Sequence, residues 1–325
     1  MSLASRLIVR LALLLMVLTG SACWMYADNI QANALLQQGR VDEANAVLQP
    51  ILKAQPNDAR ARQLLCRVYY SQDMADGAVR ECEAATASAP SASDHQVWLG
   101  RSYGLKASQA NPLVAFGIAK RVRTSFERAV QLDPVSVQAL SDLGQFYVEA
   151  PAIVGGGLDK AYAIAGRMRP LSAARAHRLL GMIANKRKDT VTAEAEFQAA
   201  VAAGRAPEAY VDLGSFYQQH GQNDKAYAAL QAAIAADHAR GPALVDVASV
   251  LTLLNRSPEL AERCLRDYLS SSATTDDAPA FKVHVQLGDL LLHRGDVAGA
   301  HREYAAALAL ASNFAPAIKA MQGSK

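Results

Sequence analysis

The 325 residues are enough for two ordinary domains or one long repeat array. Half the chain is apolar (51%) and only 6% is aromatic, with Ala and Leu abundant; this composition favours helices with small residues where helices approach closely. Lys and Arg number 33 and Asp and Glu 30, a formal charge of +3, and so balanced a chain lacks the cation excess with which nucleic-acid binders displace counterions.

Taken in chain order, the first element reads as an export signal over residues 1–22. Arg6 and Arg10 make a positive start, Leu11 to Leu18 is an unbroken apolar run, and Thr19-Gly20-Ser21-Ala22 is a small-residue stretch suited to signal peptidase. Cleavage after Ala22 is the preferred reading. An uncut anchor is the second, because apolar character resumes through Trp24 and Tyr26, although Leu11 to Ala27 only just spans a bilayer. Lipidation at Cys23 is the third, with Gly20 standing where a lipobox normally has Leu. All three place the rest of the chain outside the cytoplasm, in the periplasm or cell envelope.

From residue 25 to about 320 one pattern recurs: a Leu-Gly-like pair, an aromatic or aliphatic residue three positions on, then an Ala, and a large apolar residue four later. The units fall at about 25–56, 59–90, 93–134, 137–170, 174–204, 207–238, 241–271 and 281–312. Leu65-Cys66, Leu99-Gly100, Leu143-Gly144, Leu180-Gly181, Leu213-Gly214 and Leu287-Gly288 open six of them, and Ala32, Cys66 and Gly100 are each 34 apart. The seventh, with Ala248, Leu251, Leu260 and Cys264, is degenerate. Residues 313–325 read as a short capping helix and tail, with Pro316 in the helix's first turn. This repeat resembles the tetratricopeptide repeat. The resemblance implies an all-α fold, a right-handed α-solenoid of about eight helix pairs. Each pair needs its neighbours, because one pair cannot bury its own apolar face.

Two units depart from the period. Gly100 to Gly144 is 44 residues, and the excess lies between Tyr103 and Val122, where Asn111 and Pro112 signal a helix start. A longer loop and a longer second helix are expected there. The next unit carries Ala150-Pro151-Ala152-Ile153-Val154-Gly155-Gly156-Gly157 between its helices. Equivalent turns line up along one rim of a solenoid, so the two insertions are expected to be neighbours, and per-repeat insertions on one face are often functional. Leu99-Gly100-Arg101-Ser102-Tyr103-Gly104, Phe126 to Pro134, and Glu149-Ala150-Pro151 through Gly155-Gly156-Gly157 to Asp159-Lys160-Ala161 resemble a group of exported bacterial tetratricopeptide proteins. That likeness implies a shared architecture and no catalytic activity.

In this fold the first helices line the concave face. The register places Arg60, Gln63, Arg67, Tyr70, Arg101, Gln138, Gln145, Arg175, Arg178 and Asn185 on it. The functional reading is recognition of a carboxylate or acidic peptide by forked Arg donors; the bland one is a solvated polar face. The pattern differs from the Lys/Asn/Lys/Arg carboxylate clamp of chaperone-binding relatives. Gly155-Gly156-Gly157 before a helix is either an anion nest or a permissive tight turn. Cys66 and Cys82 face each other across the second unit and are either a disulfide, allowed in an oxidising compartment, or two small buried fillers. The seven His show no metal spacing, and no HExxH, GxSxG or GxGxxG motif is present. The expectation is therefore a binding protein, not an enzyme, with no cofactor and no metal. It would be a scaffold or adaptor for a protein or peptide partner in the bacterial envelope, touching membrane only through its N-terminal segment. The alternatives are a structural subunit of an envelope or secretion assembly, and a small-ligand binder or enzyme using the two inserted loops.

Overall fold

The computed structural model describes residues 28–323; the expected export signal and Cys23 lie outside them. The described residues hold helices, with no strand. They pair in sequence: α1 (28–37) with α2 (Val41–Ala54), α3 (Ala59–Ser71) with α4 (Ala75–Ser88), and α5 (Ser93–Gln109) with α6 (Pro112–Leu132). Next come α7 (Val137–Glu149) with α8 (Leu158–Met168), α9 (Ala173–Lys186) with α10 (Thr190–Gly204), and α11 (Pro207–Gln219) with α12 (Asn223–Ala236). Last are α13 (Ala243–Leu253) with α14 (Pro258–Leu269), α15 (Ala280–His293) with α16 (Val297–Leu310), and the closing helix α17 (Ala315–Gly323). The all-α helical-repeat solenoid read from the repeat is what the chain forms.

Local sequence explains the breaks. Asp58, Asn111, Ser136, Ser172, Asp189 and Asp296 each cap a helix by accepting a backbone N–H of its first turn. The turn inside most pairs uses one left-handed residue, filled by Gly39, Gly221 and Gly295 and, at greater cost, by Asp73, Lys188 and Asn255. Within a pair, small residues let axes close. A side chain at Gly100 would overlap the Phe126 ring and one at Gly288 the Tyr304 ring, so these aromatics occupy the volume that the missing side chains vacate.

The insertion in the third pair does not make a longer loop. Its residues extend the helices: α5 has 17 residues and α6 has 21, and only Ala110 and Asn111 separate them. The Asn111 cap and Pro112 restart the helix at once, so the extra length becomes two projecting helix ends. The fourth pair's insertion is a 3-10 turn, Ala152–Val154, packed against α6.

Apolar clusters follow one another along the array, from the second to the fifth pair, through the fifth and sixth, and on to the eighth. The remaining cluster joins the two ends. Leu35, Leu36, Leu48 and Leu64 share it with Phe281, Ala311, Phe314 and Ala317. Phe281 is fully buried and meets Phe314 edge-on at 4.9 Å. Around this core, Asp42 accepts the Ser312 N–H at 2.8 Å, Lys282 pairs with Asp73 at 2.7 Å, and Gly39 lies against Ala280. The solenoid thus closes on itself, its first pair packed on its last. Burying large side chains at about 1.5–3 kcal/mol each makes that seam a true core contact. No helix of the described residues is long and apolar enough to cross a membrane.

Candidate functional site

First helices of successive pairs touch one another, α3 with α5, α5 with α7, α7 with α9, α9 with α11 and α11 with α13. They form the inner layer, and the polar residues of their free face line the concavity. Arg101 on α5 donates to Asp142 on α7 at 2.8 Å, and Arg178 on α9 donates to Asp212 on α11 at 2.8 Å. Arg67 on α3 holds Asp276 through two hydrogen bonds of 2.8 Å, both side chains nearly inaccessible. Gln63 is fully buried and donates to Asp94 at 2.8 Å, while accepting from Arg60 at 2.8 Å. Asn185 bonds His220, Gln145 bonds Glu149, and Gln138 and Arg175 are exposed.

The expected Arg-rich face is therefore corrected. Arg67, Arg101 and Arg178 are not open forks; each is neutralised by an aspartate of a neighbouring element. Asp142, Asp212 and Asp246 all stand two residues before the small residue of their first helix, whereas Arg101 stands one residue after Gly100 and Arg178 three before Gly181, so the aspartates share a register that the arginines holding them do not. Burial pushes Asp142 and Asp212 above the usual carboxylate range, against the pull of Arg101 and Arg178. Asp246 is pushed up to about 6, first by the helices that crowd its carboxyl and then by the Asp212 and Glu208 carboxylates.

A cavity of about 600 Å³ opens where α5, α6 and α7 meet the Ala152–Val154 turn. Tyr70, Leu105, Val122, Phe126, Phe146, Pro151 and Val154 supply apolar walls, and Arg101, Asp142, Gln145 and Glu149 a polar side. Gly104 lines it, and a Cβ atom added there would meet nothing within 4 Å. Leu113, Val114 and Phe116 at the start of α6 and Ile153 on the turn, two elements that also wall the cavity, are exposed apolar side chains. The two insertions are thus adjacent.

The glycines of the second insertion form no open nest. Gly155 N–H donates to Ala152 O at 2.9 Å, Gly156 to Pro151 O at 3.2 Å and Gly157 to Tyr147 O at 2.9 Å. With all three donors used internally, the stretch is a tight turn. Gly155 has φ +98°, and a side chain there would strike Arg123. Asn111 and Pro112 act as cap and first residue of α6, and Pro151 lines the cavity. Cys66 and Cys82 are joined by a disulfide between α3 and α4, Cα atoms 5.3 Å apart. Cys264 is free and buried, its thiol pushed up to about 11 by burial. Among the described residues no group of three or more His, Cys, Asp or Glu is placed to hold a metal ion.

Tetratricopeptide-repeat family profiles match residues 35–99 and 207–238. The chain carries tetratricopeptide repeats. Yeast Tom70 is similar in fold, with a TM-score of 0.54 at 16% identity over 87% of this chain and 58% of its own. A thermophilic tetratricopeptide-repeat protein of Thermus thermophilus aligns at 19% identity over 75% of this chain and 99% of its own, TM-score 0.44. A chain of the APC/C hetero-tetramer Cut9–Hcn1 aligns at 15% identity and TM-score 0.41, over 90% of this chain. This chain spans only 54% of that relative's length. No curated protein matches the sequence.

Pairing and capping of the repeats were readable beforehand; three features of the site were not. Trp98 and Phe146 carry no motif. Asp276 and Asp277 lie in a connection far away in sequence. Asp142 and Asp212 share a register that the sequence displays, but their pairing with Arg101 and Arg178 was not readable from it.

Proposed function

We propose that this protein is a protein- or peptide-binding scaffold whose partner seats in the cavity between α5, α6 and α7 and covers the adjoining rim. The observation that carries the reading is the cavity itself: apolar walls with a few convergent polar groups are the usual make-up of a binding pocket. The exposed apolar side chains Leu113, Val114, Phe116 and Ile153 on the two elements that wall it are the kind of surface that a partner buries. Tetratricopeptide folds are commonly used for protein–protein contact, and the coarse reading rests on that analogy of fold; the location rests on the geometry.

The test is photocrosslinking in the native host, with a benzophenone amino acid at Leu105 or Gln145 and, for comparison, at exposed Arg128 on the outer face. Adducts from the two cavity positions that vanish when Gly104→Leu fills the space are the expected result. Identical adducts from cavity and outer face, or adducts indifferent to Gly104→Leu, would sink the reading.

We also infer export to the periplasm or envelope with cleavage after Ala22. The basic-apolar-small order of residues 1–22 supports it, and so does the Cys66–Cys82 disulfide, a bond that persists in oxidising compartments. The mass and N-terminal sequence of the mature protein decide between cleavage, an uncut anchor and lipidation at Cys23.

A further inference from the structure

The connection between α14 and α15 runs from Ser270 to Pro279, where most other connections between pairs need two to six residues. It is pinned at its base by Tyr268, whose hydroxyl accepts the Thr275 N–H at 3.0 Å and donates to Ala278 O at 2.7 Å. From there its tip reaches residues of the first three pairs. Asp276 takes the bidentate grip of Arg67, accepts from Gln37 at 2.8 Å, and donates its own N–H back to Gln37 at 3.3 Å. Asp277 comes within 3.8 Å of Arg101. Arg67 and Arg101 stack on Trp98, each 4.9 Å from the ring centre.

Arg67 and Arg101 hold the same position in successive repeats, each one residue after the small residue of its helix. An Asp-Asp pair in a non-helical turn of the connection meets both of them. This is how a tetratricopeptide face would receive a foreign acidic segment: planar guanidiniums fork onto carboxylates, an aromatic between them fixes their planes, and a side-chain amide reads the backbone. We propose that Arg67, Trp98 and Arg101 form a binding site for an acidic, non-helical segment of a partner, held shut in this chain by its own Asp276-Asp277. The site adjoins the cavity, which Arg101 also lines, so the inference rests on the concave-face reading and adds to it the partner's chemistry and a competitor in cis.

The probe is a fluorescein-labelled synthetic decapeptide of residues 271–280, SSATTDDAPA, titrated by anisotropy at low salt against the full chain. If the loop occupies the site in nine molecules of ten or more, removing its charges raises the apparent affinity at least about tenfold. The variant Asp276→Asn/Asp277→Asn is therefore expected to bind the peptide at least tenfold more tightly than the wild type. Further substitution of Arg67→Gln or Arg101→Gln, or use of the peptide SSATTNNAPA, should abolish binding, and added salt should weaken it. A folded variant that binds no better than the wild type overturns the proposal. Should the variant not fold, hydrogen exchange on the wild type serves instead: millimolar SSATTDDAPA should speed exchange at the Asp276 amide, and unchanged exchange overturns the proposal. Loss of cavity crosslinks with Gly104→Leu, together with failure of the acidic peptide, would refute this inference alone; failure of the crosslinks with peptide binding intact would refute the cavity reading alone.

Discussion

Replacing Phe281 by alanine should uncouple the two ends of the array. The ring is fully buried, stands edge-on to Phe314, and shares a cluster with Leu35, Leu36 and Leu48 of the first pair. Truncation forfeits its transfer energy and leaves a cavity that the surroundings fill only in part, a cost of about 3–5 kcal/mol. In an array coupled only through nearest neighbours, that loss stays in α13 to α17. In a closed array it crosses the seam. Native-state hydrogen exchange read by mass spectrometry separates the two cases: amides in α1 and α2 should lose protection together with those of α15 and α16, while α7 and α9 on the far side change little. Small-angle scattering should show a longer maximum dimension. Phe281→Leu, nearly filling the space, should cost less than about 1.5 kcal/mol and leave the seam closed. Unchanged protection in α1 and α2 beside lost protection in α15 and α16 would show that the ends are not coupled.

Other outcomes follow from single positions. Gly100 and Gly104 lie one turn apart on α5. Gly100→Ala overlaps Phe126 and should cost about 1–3 kcal/mol by overpacking, whereas Gly104→Ala meets nothing and should stabilise by about 0.5–1 kcal/mol through helix propensity; chemical denaturation of both decides, and equal signs would contradict the packing. The disulfide closes a separation of 16 residues, so reduction should lower stability by about 3 kcal/mol, and alkylation of the denatured, unreduced chain should leave Cys66 and Cys82 unmodified. The Asp246 carboxyl titrates near 6 in the fold against 3.8 when free. Its charged form is therefore disfavoured in the fold, so its contribution is full below about pH 4 and is lost as pH rises through 6. Asp246→Asn should then gain stability over the wild type at pH 7 and not at pH 4. The gain should stay under about 1 kcal/mol, because the Asp246 side chain, although flanked by neighbouring helices, keeps access to solvent; a variant less stable at pH 7 would contradict it.

The repeat could be read from residues because each pair solves a local problem. Gly100 beneath Phe126, Gly288 beneath Tyr304, and the Asn111 cap depend on neighbours within one or two helices, so periodicity and composition suffice to name them. The insertion before Val122 was legible as extra length, though not as two projecting helix ends. That depended on whether Lys106 to Gln109 continued the helix, which packing decides. The disulfide stood as one of two readings until the facing of α3 and α4 brought the Cα atoms within reach.

What tertiary structure alone decided is curvature and everything that follows from it. Each pair adds a small rotation, set by the bulk at each seam, and no residue records the sum. Only when the rotations accumulate does the first pair meet Phe281 and Phe314, and only then does the α14–α15 connection reach Arg67. The arginines of the concave face were visible in the sequence by their register. That Asp276, Asp142 and Asp212 already hold three of them was not, because a charge's partner is settled by distance in space, and here the closing of the array sets it.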